Sequence, residues 1–348
     1  MMKELKILAI VVIVTALTYI GIEPLAHMVM HPHVEPADYS FGDLKELKNA
    51  DGTAVAQGNI ENGKLLVGQN CKACHTLKAD GYEHIASKEE LMAKYGTIVD
   101  VEKHYDELDN RYVAEMYNSA VPLDLSNAAT IFDPKFLSNF IKDPSNAAFD
   151  STYKMHKEHQ MHLDLAKLKN DEEKAKLQAS VAAEIESFRN KPKIAMPAFD
   201  YLSDQEIADI VAYLTSIKQP LDGRESLVLA CGRCHNMQYA NIEATTPADL
   251  LKKYLGTTPP DLSMMIRSKG EHYLTVFVND PQKVLIGSSM PRVGVTRETE
   301  SKIVGYLEEV GDSKKEERES LGVWVIGYFV IFAVLAYFFK RHIWRELH

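Results

Sequence analysis

Two Cys-x-x-Cys-His pentapeptides, Cys71-Lys72-Ala73-Cys74-His75 and Cys231-Gly232-Arg233-Cys234-His235, use all four cysteines of this 348-residue chain. Two thiols at this spacing can form thioethers to the two vinyl groups of one haem, and the adjacent histidine is then pinned beneath the iron as its proximal ligand. A lone Cys-x-x-Cys can be half of a zinc site or a redox dithiol, but neither needs the trailing histidine. Cys71, Cys74, Cys231 and Cys234 are therefore expected to carry two covalently attached haem c groups, with His75 and His235 as proximal ligands. Thioether attachment also implies maturation outside the cytoplasm, where free thiols would otherwise be oxidised.

The far side of each iron decides the chemistry. An open position suits oxygen or peroxide, whereas a second strong ligand closes the site and leaves electron transfer. Met196 and Met290 are the expected sixth ligands. Each follows its Cys-x-x-Cys-His, precedes a C-terminal helical pattern, and is stiffened by Pro197 or Pro291. A methionine thioether favours the ferrous state and raises the potential. The chain has 13 methionines, and core filling is the ordinary use of most. The competitors are Met155 and Met161 in the first copy, and Met237, Met264 and Met265 in the second. Bis-histidine ligation would draw on His156, His159, His162 or His272. Those histidines mostly lie in charged stretches that read as exposed, and they lack counterparts in the other copy. No acid, base or nucleophile is required, so no catalytic residue is assigned.

The elements around these residues form a repeat. Pro122-Leu123-Asp124-Leu125-Ser126 and Phe140-Ile141-Lys142-Asp143-Pro144 in the first copy match Pro259-Pro260-Asp261-Leu262-Ser263 and Phe277-Val278-Asn279-Asp280-Pro281 in the second. The two aspartates lie 19 positions apart in both. Met196-Pro197 or Met290-Pro291 follows, and each copy ends in Tyr-Leu, at Tyr213-Leu214 or Tyr306-Leu307. Five landmarks in one order indicate duplication. Gly58 to Asn70 has helical spacing; Ser203 with Glu206 is a capping box, and Thr296 caps the matching helix. Thr152 to Arg189 reads as an amphipathic helix or helical hairpin packed on the first domain, with Leu163, Leu165, Leu168, Leu177, Val181 and Ile185 as its apolar positions. A second insertion, about Glu83 to Arg111, is charged and helix-prone. It is either a docking surface or, as charge runs usually are, a solvated face. No alternating strand pattern occurs.

The expected fold is mainly α. Residues 1–22 form an N-terminal hydrophobic helix, residues 23–219 a first haem domain with insertions, residues 220–312 a second, and residues 313–348 a C-terminal transmembrane helix with its tail. The join falls near Gln219 to Gly223, where Pro220 and Gly223 interrupt the helical pattern. Leu5 to Ile22 is either a signal peptide or an anchor; its length and the lack of a clean A-x-A-like site favour a retained anchor. Leu321 to Phe339 is 19 residues without a charge, with Trp324, Tyr328 and Tyr337 toward its ends, followed by Lys340, Arg341, His342 and Arg345. The positive-inside rule puts that tail in the cytoplasm and the preceding domains outside; the family resemblance given below implies that this is the periplasmic side of a bacterial inner membrane. Composition is that of a globular protein, 46% hydrophobic and 25% charged, and the formal charge of −10 argues against nucleic acid as a partner.

The Cys-x-x-Cys-His, later Met-Pro and terminal helix resemble class I cytochrome c, across about Gly58–Gln219 and again across Gly223–Gly311. The second copy is more specific. Its Pro259-Pro260-Asp261-Leu262-Ser263, Met290, C-terminal anchor ending at Lys340-Arg341, and tail Trp344-Arg345-Glu346-Leu347-His348 resemble the haem c subunit of quinol–cytochrome c reductase, the cytochrome bc(1) complex. The additional haem domain and hydrophobic N-terminus depart from the usual single-haem subunit and resemble a diheme version of it. That resemblance implies partnership with a cytochrome b subunit and a Rieske iron–sulfur protein, and delivery of electrons to a soluble cytochrome c or terminal oxidase. The second haem is expected nearer the membrane, because about 30 residues separate Met290 from the anchor. The alternatives are the diheme subunit of a cbb-type oxidase or of a membrane dehydrogenase, a diheme peroxidase, and a structural assembly subunit.

Overall fold

The computed structural model describes residues 2–30, 36–96, 101–191 and 195–346. Met1 of the N-terminal segment, residues 97–100 of the Glu83–Arg111 insertion, residues 192–194 before Met196, and Leu347 and His348 of the tail lie outside the described residues. All regular elements among the described residues are helical, and strand pairing is limited to isolated bridges. Residues 1–37 and residues 38–348 form separate compact units.

The first unit is α1 (Met2–Ala16), π-helical turns at Leu17–Ile22, and α2 (Glu23–Met30). Within it, Lys6–Ala26 is long and apolar enough to cross a membrane, and none of that stretch is buried in protein. Its side chains have no core to enter, so the hydrocarbon of a bilayer is the environment that matches them.

The second unit contains two helical modules and a long terminal helix. The first module comprises α3 (Ile60–Asn70), α4 (Lys88–Tyr95), α5 (Tyr105–Tyr117), α6 (Ala128–Ile131), α7 (Pro134–Lys142), α8 (Ser151–Leu165), α9 (Asp171–Arg189) and α10 (Asp204–Ser216). The second comprises α11 (Gly223–Ala230), α12 (Ala248–Leu255), α13 (Met265–Lys269), α14 (Glu271–Asn279), α15 (Pro281–Val284) and α16 (Arg297–Gly311). The capping expectations hold. Ser203 and Glu206 form a reciprocal box at α10, and Thr296 accepts from the Thr299 N–H at α16.

In each module the helix that leads into the cysteines crosses the last helix at a glycine. A Cβ on Gly63 would lie 2.0 Å from the Asp209 carbonyl oxygen and 2.8 Å from Tyr213 Cβ; on Gly223 it would lie 2.9 Å from the Lys302 oxygen and 3.0 Å from Tyr306 Cβ. Both glycines stand eight positions before the first cysteine of their motif. Gly223 is the first residue of α11, which an Asp222–Glu225 capping box opens after the break that follows Ser216. The crossings are sealed by Leu66, Val67, Ile207, Ile210 and Leu214 in one module, and by Leu227, Ile303, Val304 and Leu307 in the other.

The two modules also share structure. Ile131 of the first is fully buried in the core of the second. Thr296 N–H donates to the Ile131 carbonyl at 3.0 Å, Asp133 N–H to Gly294 at 2.9 Å, and Arg292 N–H to Ala148 at 2.9 Å. An ion pair of 3.0 Å between Asp43 and Arg292 is nearly inaccessible on both sides, with the guanidinium 5.4 Å from the Phe41 ring centre. Removing one member of such a pair costs about 3–5 kcal/mol, because the other charge is stranded.

Both insertions depart from expectation. The hairpin of α8 and α9 packs not only on the first module; α8 also lies against α15 of the second. His156 Nε2 pairs there with Asp280 Oδ2 at 2.7 Å, so this histidine is half-buried and engaged rather than exposed. Residues 83–111 are not a simple solvated face. α4 opens 13 residues after His75, as α12 does after His235, so only α5 and its approach are extra. Ala86, Leu91, Tyr95, Val101 and Leu108 make a small core there, and Ala114 of α5 packs with Leu250 of α12. Apolar residues at helical spacing between the charges explain the difference.

The last element, α17 (Lys315–Glu346), contains a stretch, Lys315–Arg345, long and apolar enough to span a bilayer, with none of it buried. It is rooted in the second module. Arg318 makes two hydrogen bonds to Asp312, at 2.7 and 2.8 Å, and Lys315 pairs with Glu308.

Gly63→Ala should cost about 1–3 kcal/mol through overpacking at the α3–α10 crossing. Gly68→Ala, which faces open space on the same helix, should be neutral or stabilising by up to ~1 kcal/mol. Denaturant unfolding of the detergent-solubilised chain compares them; equal losses at both positions would contradict the crossing.

Candidate metal centres

α3 ends where chemistry begins. Cys71 caps the helix with its N–H on the Val67 carbonyl at 3.0 Å, and the loop closes through Cys74 N–H and His75 N–H, both onto the Cys71 carbonyl, at 3.1 and 3.0 Å. The second motif repeats this: Cys231 onto Leu227 at 2.8 Å, then Cys234 and His235 onto Cys231, each at 3.0 Å. Two thiols and an imidazole are thus presented by one helix end in each module.

None of the four thiols is in a disulfide, and all are half-buried. Burial, with Cys74 beside it, pushes the Cys71 thiol up to about 11; burial and Cys234 push Cys231 up to about 12. A redox dithiol works through an attacking thiol whose pKa is lowered, so these pairs have the opposite character. Zinc would need two further ligands at each pair. Among the described residues the grouping of carboxylate and imidazole donors is Glu83, His84 and Asp106, which includes no cysteine.

Each histidine is fixed by its landmark block. His75 Nδ1 lies 2.8 Å from the Leu123 carbonyl and His235 Nδ1 lies 2.7 Å from the Pro260 carbonyl. A carbonyl only accepts, so Nδ1 carries the proton and Nε2 is left as the ligating nitrogen. Burial lowers the pKa of both rings, which favours the neutral form that binds a metal.

The next residue of each block holds that carbonyl in place. Asp124 accepts from Ser126 N–H at 2.8 Å, Thr76 Oγ1 at 3.0 Å and Lys78 N–H at 3.2 Å. Asp261 accepts from Ser263 N–H at 2.8 Å and Gln238 N–H at 3.1 Å. Ser126 and Ser263 accept from Ala79 and Tyr239 N–H. The intervening loops turn through left-handed residues, Gly81 (φ 70°) and Asn241 (φ 52°), residue types that tolerate this conformation. In the sequence the Asp-Leu-Ser blocks stand as repeat markers and, in the second copy, as part of the family resemblance, with no role assigned to the aspartate. Their recurrence at a fixed place was the available sign that they have a task.

The methionines fall unequally. Met196 is half-buried and packs against the same apolar cluster as Cys71, a cluster that includes Leu77 and Leu123. Its loop is tied to α7 by Phe199 N–H on the Ile141 carbonyl at 3.2 Å. Met290 is half-buried on a loop held by its N–H on Ser288 Oγ and by Val293 N–H on Val278, but it does not belong to the cluster containing Cys231. Among the competitors, Met237 is fully buried, Met265 packs on the second core, Met161 is half-buried on α8, and Met155 and Met264 are exposed. A cavity of about 510 Å³ beside the second motif is lined by residues including Cys234, Asn236, Thr246, Pro247, Leu251 and Pro259. Two free thiols and an imidazole fixed at Nδ1, presented together at one helix end, are a donor set that suits covalent attachment of a haem at each motif.

Burial alone would raise Asp261, but the hydrogen bonds from Ser263 and Gln238 hold its carboxyl below the usual range. A depressed folded pKa contributes stability above the unfolded value near 4, lost as pH falls through the folded value. Asp261→Asn should therefore lower stability at neutral pH by about 1–2 kcal/mol, as losing a cap does. The gap from the parent should close toward pH 2, which pH-dependent denaturant unfolding measures. A gap independent of pH would contradict the ionised brace.

No family model matches the chain, and no curated protein matches it. A solved structure described as "Hyperthermophilic respiratory Complex III" is similar at 26% identity, over 36% of this chain and 75% of that one, with a TM-score of 0.29. The chain is a mainly α-helical protein with an apolar helix near each terminus, similar in part of its length to a chain of that complex.

Proposed function

We propose that this chain is a membrane-anchored diheme cytochrome c, built from two class I cytochrome c modules and acting as the electron-exit subunit of a quinol–cytochrome c reductase. The observation that carries the reading is the duplicated site: two Cys-x-x-Cys-His loops on equivalent helix ends, each with its imidazole Nδ1 held by a backbone carbonyl. Haem, when bound, supplies one-electron redox chemistry. The residues of the chain do the rest. Cys71 with Cys74, and Cys231 with Cys234, attach it. His75 and His235 would ligate its iron through Nε2, and Met196 and Met290 would supply the sulfur ligands. The apolar clusters exclude water and favour the less charged ferrous state.

The apolar helices support a membrane location, and the basic residues Lys340, Arg341 and Arg345 after the last span support a cytoplasmic C-terminus with both modules periplasmic. In this reading the second module is nearer the bilayer, since α17 springs from it. A cytochrome b subunit and a Rieske protein are the proposed partners on the donor side. A soluble cytochrome c or terminal oxidase would accept the electrons.

Met196→Ala and Met290→Ala should each convert one low-spin centre to a carbon monoxide-binding one, leaving the other intact, in optical spectra of the haem-loaded protein. No spectral change in either variant would remove the ligand assignments. Gentle extraction of the native assembly should bring down a cytochrome b and a Rieske protein; recovery with a copper-haem oxidase instead would contradict the reductase assignment.

A further inference from the structure

The two copies part company behind the first motif, where α5 brings three metal-binding side chains together. Up to that point the loops run in step: Leu77 N–H donates to the Tyr82 carbonyl at 2.6 Å, as Met237 N–H does to the Ile242 carbonyl at 2.8 Å. Nine positions after the motif histidine stands His84 in the first copy and Ala244 in the second, preceded by Glu83 and Glu243. Asp106, in the first turn of α5, has no counterpart in the second copy. His84 Nε2 lies 3.5 Å from Asp106 Oδ1 and 3.9 Å from Glu83 Oε2, and the three donor atoms all lie within 4.8 Å of one another. Ligands at tetrahedral angles around zinc stand about 3.3–3.6 Å apart. The imidazole and Asp106 already have that separation, and a small rotation of the exposed Glu83 side chain supplies the rest. The imidazole itself is held from α5. Its ring packs on Tyr105 with centroids 4.0 Å apart, and the Tyr105 hydroxyl donates to the Ala86 carbonyl at 2.9 Å. Asp109, buried one turn beyond Asp106, accepts from Ile85 N–H at 3.1 Å and from Ala86 N–H at 2.7 Å. His84 Nδ1 is buried without a partner, which leaves Nε2 as the nitrogen for a ligand. Lys78 Nζ stands 3.6 Å from Asp106 Oδ2, the other oxygen of that carboxylate.

We propose that Glu83, His84 and Asp106 form a binding site for a divalent zinc-like ion, which fastens α5 to the loop behind the first motif. One imidazole nitrogen and two carboxylate oxygens suit zinc and its first-row neighbours, whereas calcium and magnesium call for six or more oxygen ligands. Three protein ligands leave a fourth position for water. Two carboxylates against the single Lys78 leave negative charge for the ion to neutralise, and Lys78 keeps Oδ2 engaged while Oδ1 is turned to the imidazole. The ion would join residues of the Tyr82 loop to a helix that the first copy alone possesses. Lys78 lies in that loop, and its N–H donates to Asp124, the brace of the carbonyl that holds His75. The site thus secures the outer wall of the first module without any part in ligating the first motif.

The test is isothermal titration of zinc chloride into the full-length, detergent-solubilised protein after chelator treatment, read together with amide hydrogen exchange. The parent should bind one zinc ion that His84→Ala and Asp106→Asn each bind at least about tenfold more weakly. His159→Ala, at an exposed histidine of α8, should leave that event unchanged. Zinc should slow exchange at residues 83–86 and 105–109 in the parent and not in His84→Ala. Glu83→Gln, on the exposed side of the site, decides the matter if His84→Ala disturbs the loop; it too should weaken binding. Equal zinc binding by the parent and all three site variants, or no zinc bound and exchange unaltered, overturns the inference. Haem content does not enter this readout, so its result is separate from the fate of the proposed function.

Discussion

An imidazole can serve one metal only if its other nitrogen is spoken for, and the arrangement of both modules follows from that requirement. The carbonyls of Leu123 and Pro260 occupy Nδ1 of His75 and His235, at 2.8 and 2.7 Å. Each carbonyl is far from its histidine in sequence, so a loop must be carried across the module and locked. Asp124 and Asp261 do this by bonding back to the residues that follow the histidine, and Ser126 and Ser263 add a second tie. Tautomer, ring orientation and loop path are thus one constraint, expressed twice.

The frame that delivers the cysteines has a similar economy. Close approach of α3 to α10, and of α11 to α16, needs a residue without a side chain at the crossing, which Gly63 and Gly223 provide. The helix ends then present the thiols, and Tyr213 locks the first module by donating to Asp80 at 2.8 Å. The modules do not stay independent. Ile131 lodges in the neighbouring core, and Asp43 reaches the buried Arg292 two residues beyond Met290. The loop bearing Met290 is therefore held partly by the opposite module, which ties its geometry to the integrity of the whole unit.

Much of this was legible in the chain itself. Helical class, both apolar helices, the caps at Ser203 and Thr296, and the repeat were written in local patterns, because capping and periodicity are decided by nearby residues. What escaped was tertiary. Gly223 read only as part of the break between the copies, since the feature that demands a glycine there, the Lys302 carbonyl, is 79 positions away. His156 read as exposed because its charged neighbours hid the one long-range partner, Asp280. The Glu83–Arg111 stretch read as solvated because its apolar residues are few, yet Leu91 and Leu108 meet across the α4–α5 pair. Sequence put Met196 and Met290 on an equal footing. The structure separates them, with only Met196 in the cluster of its motif's cysteine.

The central claim is that both thiol pairs carry porphyrin. Proteolytic peptide mapping of the mature chain by mass spectrometry tests it most directly. One haem mass is expected on the peptide containing Cys71 and Cys74, and another on the peptide containing Cys231 and Cys234. Recovery of either peptide with unmodified thiols from protein matured in its native compartment would contradict it.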